Sequence, residues 1–238
     1  MKKLRLNGIS SKATKSVLAR LTELYQTKTG IEVCIESIGG VEAAKRVQAG
    51  ESFDVVLLAA DAIDRLIASE IILPNSRRDW VLSPIAVAMK RGHPPIDLSS
   101  ETSLKAAVLA TPSLSYSTGP SGNYLRALFD RWGILDVIQS KVIVPPPGTP
   151  VGKLIADGLV TLGFQQLSEL IEIPEVHVLG VLPPEIAFMT TFSAGIPSSL
   201  KGRDERIKEV HQFIEFIASN TYDEIKHQHG MMGICVVQ

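Results

Sequence analysis

Four short segments of small residues carry the chemistry that this sequence offers. They are Gly8–Ser11, Ser37–Gly40, Thr118–Gly122 and Gly148–Val151, and we predict each as a loop between a strand and a helix. The first amides of a helix have no intrahelical acceptor, and the helix dipole favours an anion at that end. Small side chains allow the anion to approach the backbone closely. We therefore predict that these loops bind a small anion.

Neutral groups rather than cations would hold this anion. The nearest cationic residues in the sequence are Lys12 and Lys153, so hydrogen bonds replace a concentration of positive charge. Gln165 and Gln166 stand together at the end of a predicted strand, which is an unusual place for two amide side chains. We predict that both contact the ligand; the alternative is that they only tie the strand to its neighbour.

A proton-transfer reaction at this site would need a titratable side chain within hydrogen-bond reach of the substrate. The candidates are Lys12, Tyr116 and Tyr124, and we take Lys12 and Tyr116 as the catalytic pair. Each has a simpler interpretation, since Lys12 resembles a solvated lysine in a first helical turn and Tyr116 a core residue. A lysine acts as a base only where desolvation lowers its pKa.

The sequence offers no pattern for metal or cofactor chemistry. His93 lies in a Gly/Pro-rich loop, and His227 and His229 have no Cys or Asp at a metal-binding spacing. Cys34 and Cys235 match no redox or metal spacing, and we predict that both are reduced apolar fillers. We therefore predict neither a metal nor a cofactor.

The elements that position these residues follow from the hydrophobic pattern. Short apolar runs alternate with longer helical stretches, which is typical of an α/β fold with a largely parallel sheet. Strands are predicted at residues 4–7, 31–35, 54–60, 80–89, 114–117, 141–144 and 160–164, and residues 188–194 are expected to bring the chain back. Predicted helices end at Gly30 and Gly50, Asp61 is expected to cap a third, and residues 205–218 form a closing helix. Such sheets bind ligands beyond the carboxyl ends of their strands, where the four loops fall.

The bulk composition is that of a folded globular chain. The 238 residues are 45% hydrophobic and 21% charged with a formal net charge of -1, so neither disorder nor nucleic-acid binding is expected. The sequence contains no apolar run approaching the roughly 20 residues of a membrane helix, and no signal peptide is recognised. We expect a cytoplasmic protein, or a periplasmic one if an N-terminal signal was trimmed.

Several motifs together resemble the molybdate-binding branch of the type 2 periplasmic solute-binding proteins. They are Ser10-Ser11, Gly39-Gly40, the run from Asp54 to Asp61 and Gly163-Phe164-Gln165-Gln166. The resemblance spans almost the whole chain and implies a two-lobed α/β fold, each lobe a mostly parallel sheet flanked by helices. It implies lobe one at residues 1–82 plus 191–238, lobe two at 83–190, and a ligand cleft between them.

The loops and this resemblance together predict a set of ligand-binding residues. They are Ser10, Ser11, Gly39, Gly40, Ser121, Gly122, Val151, Gln165 and Gln166. A serine of the family falls near Gly39, and the tyrosine that often closes a molybdate site aligns with Gln166. Losing both groups implies a ligand other than molybdate, because buried donors are matched to the groups that they satisfy.

A second resemblance points to a reaction. The motifs Tyr116-Ser117, Ser121–Leu125, Pro150-Val151-Gly152 and Gly163–Leu170 are similar to the aconitate isomerase group, a solute-binding fold with enzymatic activity. This resemblance implies interconversion of cis- and trans-aconitate by an allylic 1,3-proton shift, without a cofactor.

Two functions therefore remain open, and both take a small-molecule anion, either a tricarboxylate or an oxyanion. In the first, which we favour, the chain isomerises the anion while closure of the cleft excludes water. In the second, the chain is a non-catalytic receptor for a membrane importer, if it is exported, or an intracellular sensor. The four loops contain no Asp, Glu or His as an obvious base, which favours the receptor.

Overall fold

The computed structural model describes residues 5–146 and 148–234 of the chain. The chain divides into two units, unit 1 from residues 1–82 with 191–238 and unit 2 from residues 83–190. Each unit is assembled around its own sheet. Cys235 and the predicted first strand residue Leu4 lie outside the described residues.

Strands and helices alternate along most of the chain, as the hydrophobic pattern predicts. The elements, in chain order, are β1 (Arg5–Ser11), α1 (Lys15–Thr29), β2 (Glu32–Ile38), α2 (Gly40–Gln48), β3 (Val55–Ala59), α3 (Ala60–Ala68), β4 (Arg78–Lys90), α4 (Glu101–Ala110), β5 (Leu114–Tyr116), α5 (Pro120–Arg131), α6 (Leu135–Ile138), α7 (Val151–Ala156), β6 (Leu162–Gln166), α8 (Leu167–Leu170), β7 (Val176–Val181), β8 (Met189–Gly195), α9 (Asp204–Ala218), α10 (Asp223–Gln228) and β9 (Met232–Gly233). Within the described residues, none of the helices has the length and apolar character needed to cross a membrane.

Unit 1 is built on a sheet with the strand order β2-β1-β3-β8-β4. Strand β1 is parallel to β2 and β3, whereas β8 is antiparallel to β3 and β9 is antiparallel to β4. Side chains of β3 alternate between two apolar layers, with Leu57 in the layer of α1 and α9 and Leu58 in the layer of α2 and α3. Every residue of β3 is buried because helices cover both faces.

Unit 2 repeats this arrangement with β7, β4, β6 and β5 as neighbours in that order. Strands β5 and β6 are parallel, and β4 is antiparallel to both β6 and β7. Val87 of β4 lies in the apolar layer of α4 and α5, and its neighbour Ala86 lies in the layer of α7 and α8. The unit therefore has a core on each face of its sheet.

The expected α/β fold class is confirmed, but the sheets are mixed rather than mostly parallel, since β4 of unit 2 is antiparallel to both of its neighbours β6 and β7. The antiparallel pairs involve β4 and β8, the two strands within which the chain changes unit. Antiparallel neighbours do not require a crossover helix between them. These two strands therefore interrupt the repeated strand-helix-strand units that the sequence pattern predicts.

The predicted loop at Gly8–Ser11 is wrong, because β1 continues through Ser11. Gly8 is a sheet residue, and a Cβ atom there would lie 2.6 Å from side-chain atoms of both Ile35 and Val55. Glycine is therefore needed at this position for the close packing of side chains on neighbouring strands.

Two further element predictions are also wrong. Asp61 does not cap a helix; it is the second residue of α3 and forms an ion pair with Arg65 at 2.8 Å. The predicted strand at 141–144 contains the end of a 3-10 turn, Gln139–Lys141, and a single bridge from Val142 to Leu114. The prolines that follow have no amide hydrogen with which to extend a ladder.

Candidate functional site

Two serine side chains meet at adjacent strand ends in unit 1. Ser10 of β1 is in register with Ser37 of β2, and their Oγ atoms lie 2.7 Å apart. Ser10 is fully buried, and its Oγ also lies 3.3 Å from the carbonyl oxygen of Ser11. One of the two hydroxyl hydrogens forms the hydrogen bond between the serines. The other is available either to the Ser11 carbonyl or to a ligand.

Ser11 and Lys12 lie at the turn that follows β1. Ser11 caps the 3-10 turn Lys12–Thr14 by accepting a hydrogen bond from the amide of Ala13 at 3.4 Å, and Thr14 Oγ1 donates to the Ser11 carbonyl at 2.9 Å. A Cβ atom on Gly40 would lie 3.4 Å from Ser11 Oγ. The fold thus places Ser10, Ser11 and Gly40 together, and Ser11 already has a structural role.

Gly39 caps the N-terminus of α2, yet the described residues give no steric reason for glycine there. Its φ of -55° and ψ of 131° are accessible to any residue, and a Cβ atom would meet nothing within 4 Å. Serine, asparagine or aspartate at an N-cap stabilises a helix by a few tenths of a kcal/mol relative to glycine. Space is therefore left open beside the first amides of α2 at the expense of a capping side chain.

Unit 2 has a matching arrangement at the start of α5. The Oγ atoms of Ser117 and Ser121 lie 2.7 Å apart, and Ser121 is buried. Gly119 caps the helix with a φ of -89°, and a Cβ atom there would also meet nothing within 4 Å. Pro120 has no amide hydrogen, and the amide of Asn123 bonds to the Gly119 carbonyl at 3.0 Å. The amides of Ser121 and Gly122 thus have no intrahelical acceptor.

Gly122 is glycine for a different reason. A Cβ atom at this position would lie 1.6 Å from the carbonyl oxygen of Ser117 and 2.6 Å from its carbonyl carbon. The turn from β5 into α5 therefore needs glycine at residue 122 whether or not a ligand is bound.

The first turn of α7 brings Val151 close to Gln165. Gln165 Oε1 accepts a hydrogen bond from the Gly152 amide at 2.9 Å, and both residues are buried. This contact gives Gln165 the structural role that was the alternative to ligand binding. The Val151 amide is then the donor of this turn without an intrahelical acceptor, while the Lys153 ammonium group is bound to Asp157 at 2.9 Å.

Gln166 ends β6 and is 4% exposed. Its Nε2 donates to Thr190 Oγ1 at 2.6 Å, and Thr190 is itself buried. Its Oε1 has no hydrogen-bond partner among the described residues. A buried polar atom without a partner is uncommon in folded proteins, which sets Gln166 apart from Gln165.

The candidate bases are placed in different surroundings. Tyr124 stacks on Phe188 and donates its hydroxyl to the carbonyl of Ile186 at 2.9 Å, and burial raises its pKa. Tyr116 packs edge-on against Phe129 with ring centroids 5.7 Å apart, and Lys12 is half-buried beside Ser11. A tyrosine with a raised pKa has less of its basic phenolate form at neutral pH, which counts against Tyr124 as the base.

Neutral donors predominate both around Ser10 in unit 1 and around Ser121 in unit 2. Across residues 5–146 and 148–234, no group of three His, Cys, Asp or Glu side chains is placed to hold a metal ion. Hydroxyl groups and helix amides can hold an anion by hydrogen bonding alone, because the helix N-terminus carries partial positive charge.

Comparison with known proteins decides the family. The sequence model of the family described as bacterial extracellular solute-binding protein matches residues 6–232. The chain belongs to this family. The molybdate-binding-like resemblance inferred from the motifs is thereby confirmed, and the two-lobed fold is that of the periplasmic binding proteins.

Individual relatives differ in what their names describe. The chain is 31% identical over 235 residues to an aconitate isomerase from Pseudomonas sp., covering 96% of this chain and 88% of that protein. The periplasmic molybdate-binding protein of Azotobacter vinelandii superposes with a TM-score of 0.77 at 18% identity, over 97% of this chain and 100% of that one. A tungstate ABC transporter structure from Geobacter sulfurreducens gives 0.73 at 14% identity, over 94% and 98% of the two chains. At such identities the two structures show a shared fold alone.

Sequence reasoning missed four residues that the structure places beside the predicted ones. They are Ser37, Ser117, Gly119 and Thr190. Ser37 and Gly119 lie in segments that were predicted as small-residue loops, although Ser37 belongs to β2 in the structure, and Ser117 immediately precedes one of these segments. Strand register pairs Ser37 with Ser10. Ser37 therefore provides a hydroxyl at the end of β2, close to Gly39, where the family resemblance places a serine. No signal in the sequence links Thr190 to Gln166, since 24 residues separate them.

Proposed function

We propose that this protein binds a small organic acid anion at its glycine-capped helix N-termini and isomerises it by a 1,3-proton shift. Ser10, Gly39 and Gly40 would contribute in unit 1. In unit 2 the contributions would come from Ser121, Gly122, Val151 and Gln166. Ser11 and Gln165 have structural contacts, and we assign them a supporting role in holding the turns.

The observation that carries the anion site is the pair of unrestrained N-cap glycines. Gly39 and Gly119 have ordinary φ values, and their missing Cβ atoms leave open space. Neither backbone strain nor packing within the described residues requires glycine there. A ligand that approaches the helix amides closely is a physical reason for both.

The isomerase assignment draws its support from the aconitate isomerase of Pseudomonas sp., which covers 96% of this chain. In an aconitate isomerisation, a base removes a proton from the CH2 carbon and the double bond moves by one position. The proton is then returned to the carbon at the other end of the allylic system, so the reaction needs no oxidant and no cofactor. Lys12 and Tyr116 are the proposed proton carriers.

Proton NMR in deuterium oxide tests this activity. We expect purified protein to convert cis-aconitate into the trans isomer and to place deuterium at the allylic carbon. Lys12→Met or Tyr116→Phe should lower the rate by roughly 100-fold if that residue carries the proton. Tyr124→Phe is the matched control, because its hydroxyl is bound to Ile186, and it should retain the wild-type rate. If the wild-type protein showed neither conversion nor deuterium exchange, the isomerase activity would be excluded.

A second candidate is a receptor that binds the anion without changing it. The packing of Tyr116 against Phe129 and the engaged hydroxyl of Tyr124 favour it, because both tyrosines have structural roles. In this case the partner would be a membrane importer, as for the tungstate ABC transporter from Geobacter sulfurreducens, and the protein would act outside the cytoplasm, as the periplasmic molybdate-binding protein does. Anion binding without deuterium exchange at cis-aconitate would select the receptor.

A further inference from the structure

Gln166 is a buried side chain with only one end held by the protein. Its amide nitrogen is bound to Thr190 Oγ1 at 2.6 Å, and its Oε1 has no partner among the described residues. Gln165 precedes it on the same strand and is equally buried, yet its Oε1 accepts from the Gly152 amide. Burial at the end of β6 therefore does not by itself leave an amide unsatisfied.

The position of Gln166 relates it to the helix amides of unit 2. Strands β5 and β6 are parallel neighbours, with Tyr116 opposite Phe164, so their carboxyl ends lie side by side at the same end of the sheet. Ser117 and the N-terminus of α5 follow β5 directly, and Gln166 is two residues beyond Phe164. The side-chain amide of Gln166 thus lies at the same end of the sheet as the backbone amides of Ser121 and Gly122.

The Thr190 hydroxyl can hold either end of the Gln166 amide and so leaves the other end for a ligand. A threonine hydroxyl both donates and accepts, and the two ends of a carboxamide are nearly equal in size. Rotation of the terminal amide by 180° would exchange Nε2 and Oε1 without disturbing the packing. The Thr190 hydroxyl would then donate to Oε1, and Nε2 would be available as a donor.

We propose that Gln166 is the specificity-determining residue of the anion site and that Thr190 positions it. In the complex, Nε2 donates to an anionic oxygen of the ligand and the Thr190 hydroxyl donates to Oε1. This inference rests on the proposed function for the existence of a bound anion. The anionic oxygen belongs either to a carboxylate of an organic acid or to a tetrahedral oxyanion, and titration with both distinguishes them.

Calorimetric titration of the full chain with cis-aconitate and with molybdate tests the proposal. Gln166→Leu should weaken binding of the anion that uses this contact by roughly tenfold, the typical effect of losing a hydrogen bond to a charged group. Thr190→Val should give a similar loss, and the double variant should lose no more than either single one, because the two residues act as a unit. Thr190→Ser retains the hydroxyl and should restore binding.

Two controls separate this role from a structural one. Ser115→Ala removes another buried hydroxyl of unit 2, which donates to the Ile143 carbonyl, and should lower the melting temperature without changing affinity for either anion. Gln166→Glu replaces the donor by a carboxylate and should bind more weakly than Gln166→Leu. If the Glu variant bound as well as the wild type, the ligand would be a donor and the proposed orientation would be wrong.

The remaining outcomes also decide the matter. Affinities unchanged in both Gln166→Leu and Thr190→Val would mean that water completes the amide, which overturns this inference and leaves the anion site intact. Additive losses in the double variant would overturn the positioning role of Thr190. Failure of the wild-type protein to bind any organic acid or oxyanion would overturn the proposed function itself, and this inference with it.

Discussion

Gly119 and Gly122 lie three residues apart at the start of α5 and are glycine for unrelated reasons. The space beside Gly119 is open, whereas a Cβ atom on Gly122 would collide with the backbone of Ser117. Substitution at residue 119 therefore tests the ligand, and substitution at residue 122 tests the turn. Only the structure separates these two cases, because the sequence shows both as glycines in one loop.

We predict that Gly119→Val leaves the fold intact and removes binding. The N-cap backbone is extended, which suits a β-branched residue, but valine is a poorer N-cap than glycine, so the free energy of unfolding should fall by only about 0.5–1 kcal/mol. The side chain fills the space beside the helix amides and should weaken anion binding at least tenfold, roughly the loss of one hydrogen bond to a charged group. Gly122→Ala should instead lower the unfolding free energy by about 1–3 kcal/mol through overpacking. Wild-type affinity in Gly119→Val, measured by calorimetry, would remove residue 119 from the site.

Residue types were predictable from the sequence, but their pairings were not, and the loop predicted at Gly8–Ser11 is part of strand β1. The serine-rich loops pointed to hydroxyl donors, yet only strand register shows that Ser10 meets Ser37. The adjacent residues Gln165 and Gln166 look alike in sequence. Their different partners, Gly152 and Thr190, depend on tertiary packing over separations of 13 and 24 residues.

At the scale of elements, Gln165 joins the end of β6 to the first turn of α7. Removing its acceptor leaves the buried Gly152 amide without a partner. We predict that Gln165→Leu lowers the free energy of unfolding by about 1–3 kcal/mol, measured by urea denaturation. Lys153→Met in the same helix removes only an exposed ion pair with Asp157 and should cost less than about 0.5 kcal/mol. Equal stabilities of the two variants would contradict the bridging role of Gln165.

The sequence predicted elements with a clear apolar face and missed those without one. Helices α1 and α9 were recognised because their buried residues recur with helical spacing. Helix α4 was not, because its apolar residues, from Leu104 to Ala110, surround the helix rather than form one face. Strand β7 was also missed, since most of its residues are partly exposed.

At the scale of the whole molecule, unit 1 joins two distant parts of the chain. Arg206 at the start of α9 makes two hydrogen bonds of 2.8 Å to the carboxylate of Asp54 and also donates to the Arg5 carbonyl. These contacts attach the returning C-terminal segment to the beginnings of β1 and β3. The carboxylate also accepts a hydrogen bond from the Asn7 amide at 2.7 Å.

We predict that Arg206→Met lowers the free energy of unfolding by about 1–3 kcal/mol, because the Asp54 carboxylate loses its cationic partner and the Arg5 carbonyl loses a donor. Arg206→Lys should recover only part of this, since an ammonium group cannot make the paired contact. Arg65→Met removes the exposed pair with Asp61 and should be nearly neutral in the same thermal and urea unfolding experiments. A neutral Arg206→Met would show that apolar packing and the pairing of β8 with β3 hold the returning segment without help from these contacts.

The alternation of strands and helices predicted the α/β class, while the discontinuous unit followed from the family resemblance. Hydrophobic periodicity is local and does not show that the segment after residue 190 returns to the sheet of the first 82 residues. That information lies in pairings such as Leu57 with Ala194, which join distant parts of the chain.

The most direct test of the organic acid assignment is calorimetry that compares the binding of cis-aconitate, trans-aconitate, molybdate and tungstate to the wild-type protein. We predict that an aconitate isomer binds at least tenfold more tightly than either oxyanion, because Gln166 stands where the tyrosine of the molybdate sites aligns and buried donors are matched to the groups that they satisfy. Tighter binding of molybdate or tungstate, with no heat from either aconitate, would contradict the organic acid assignment.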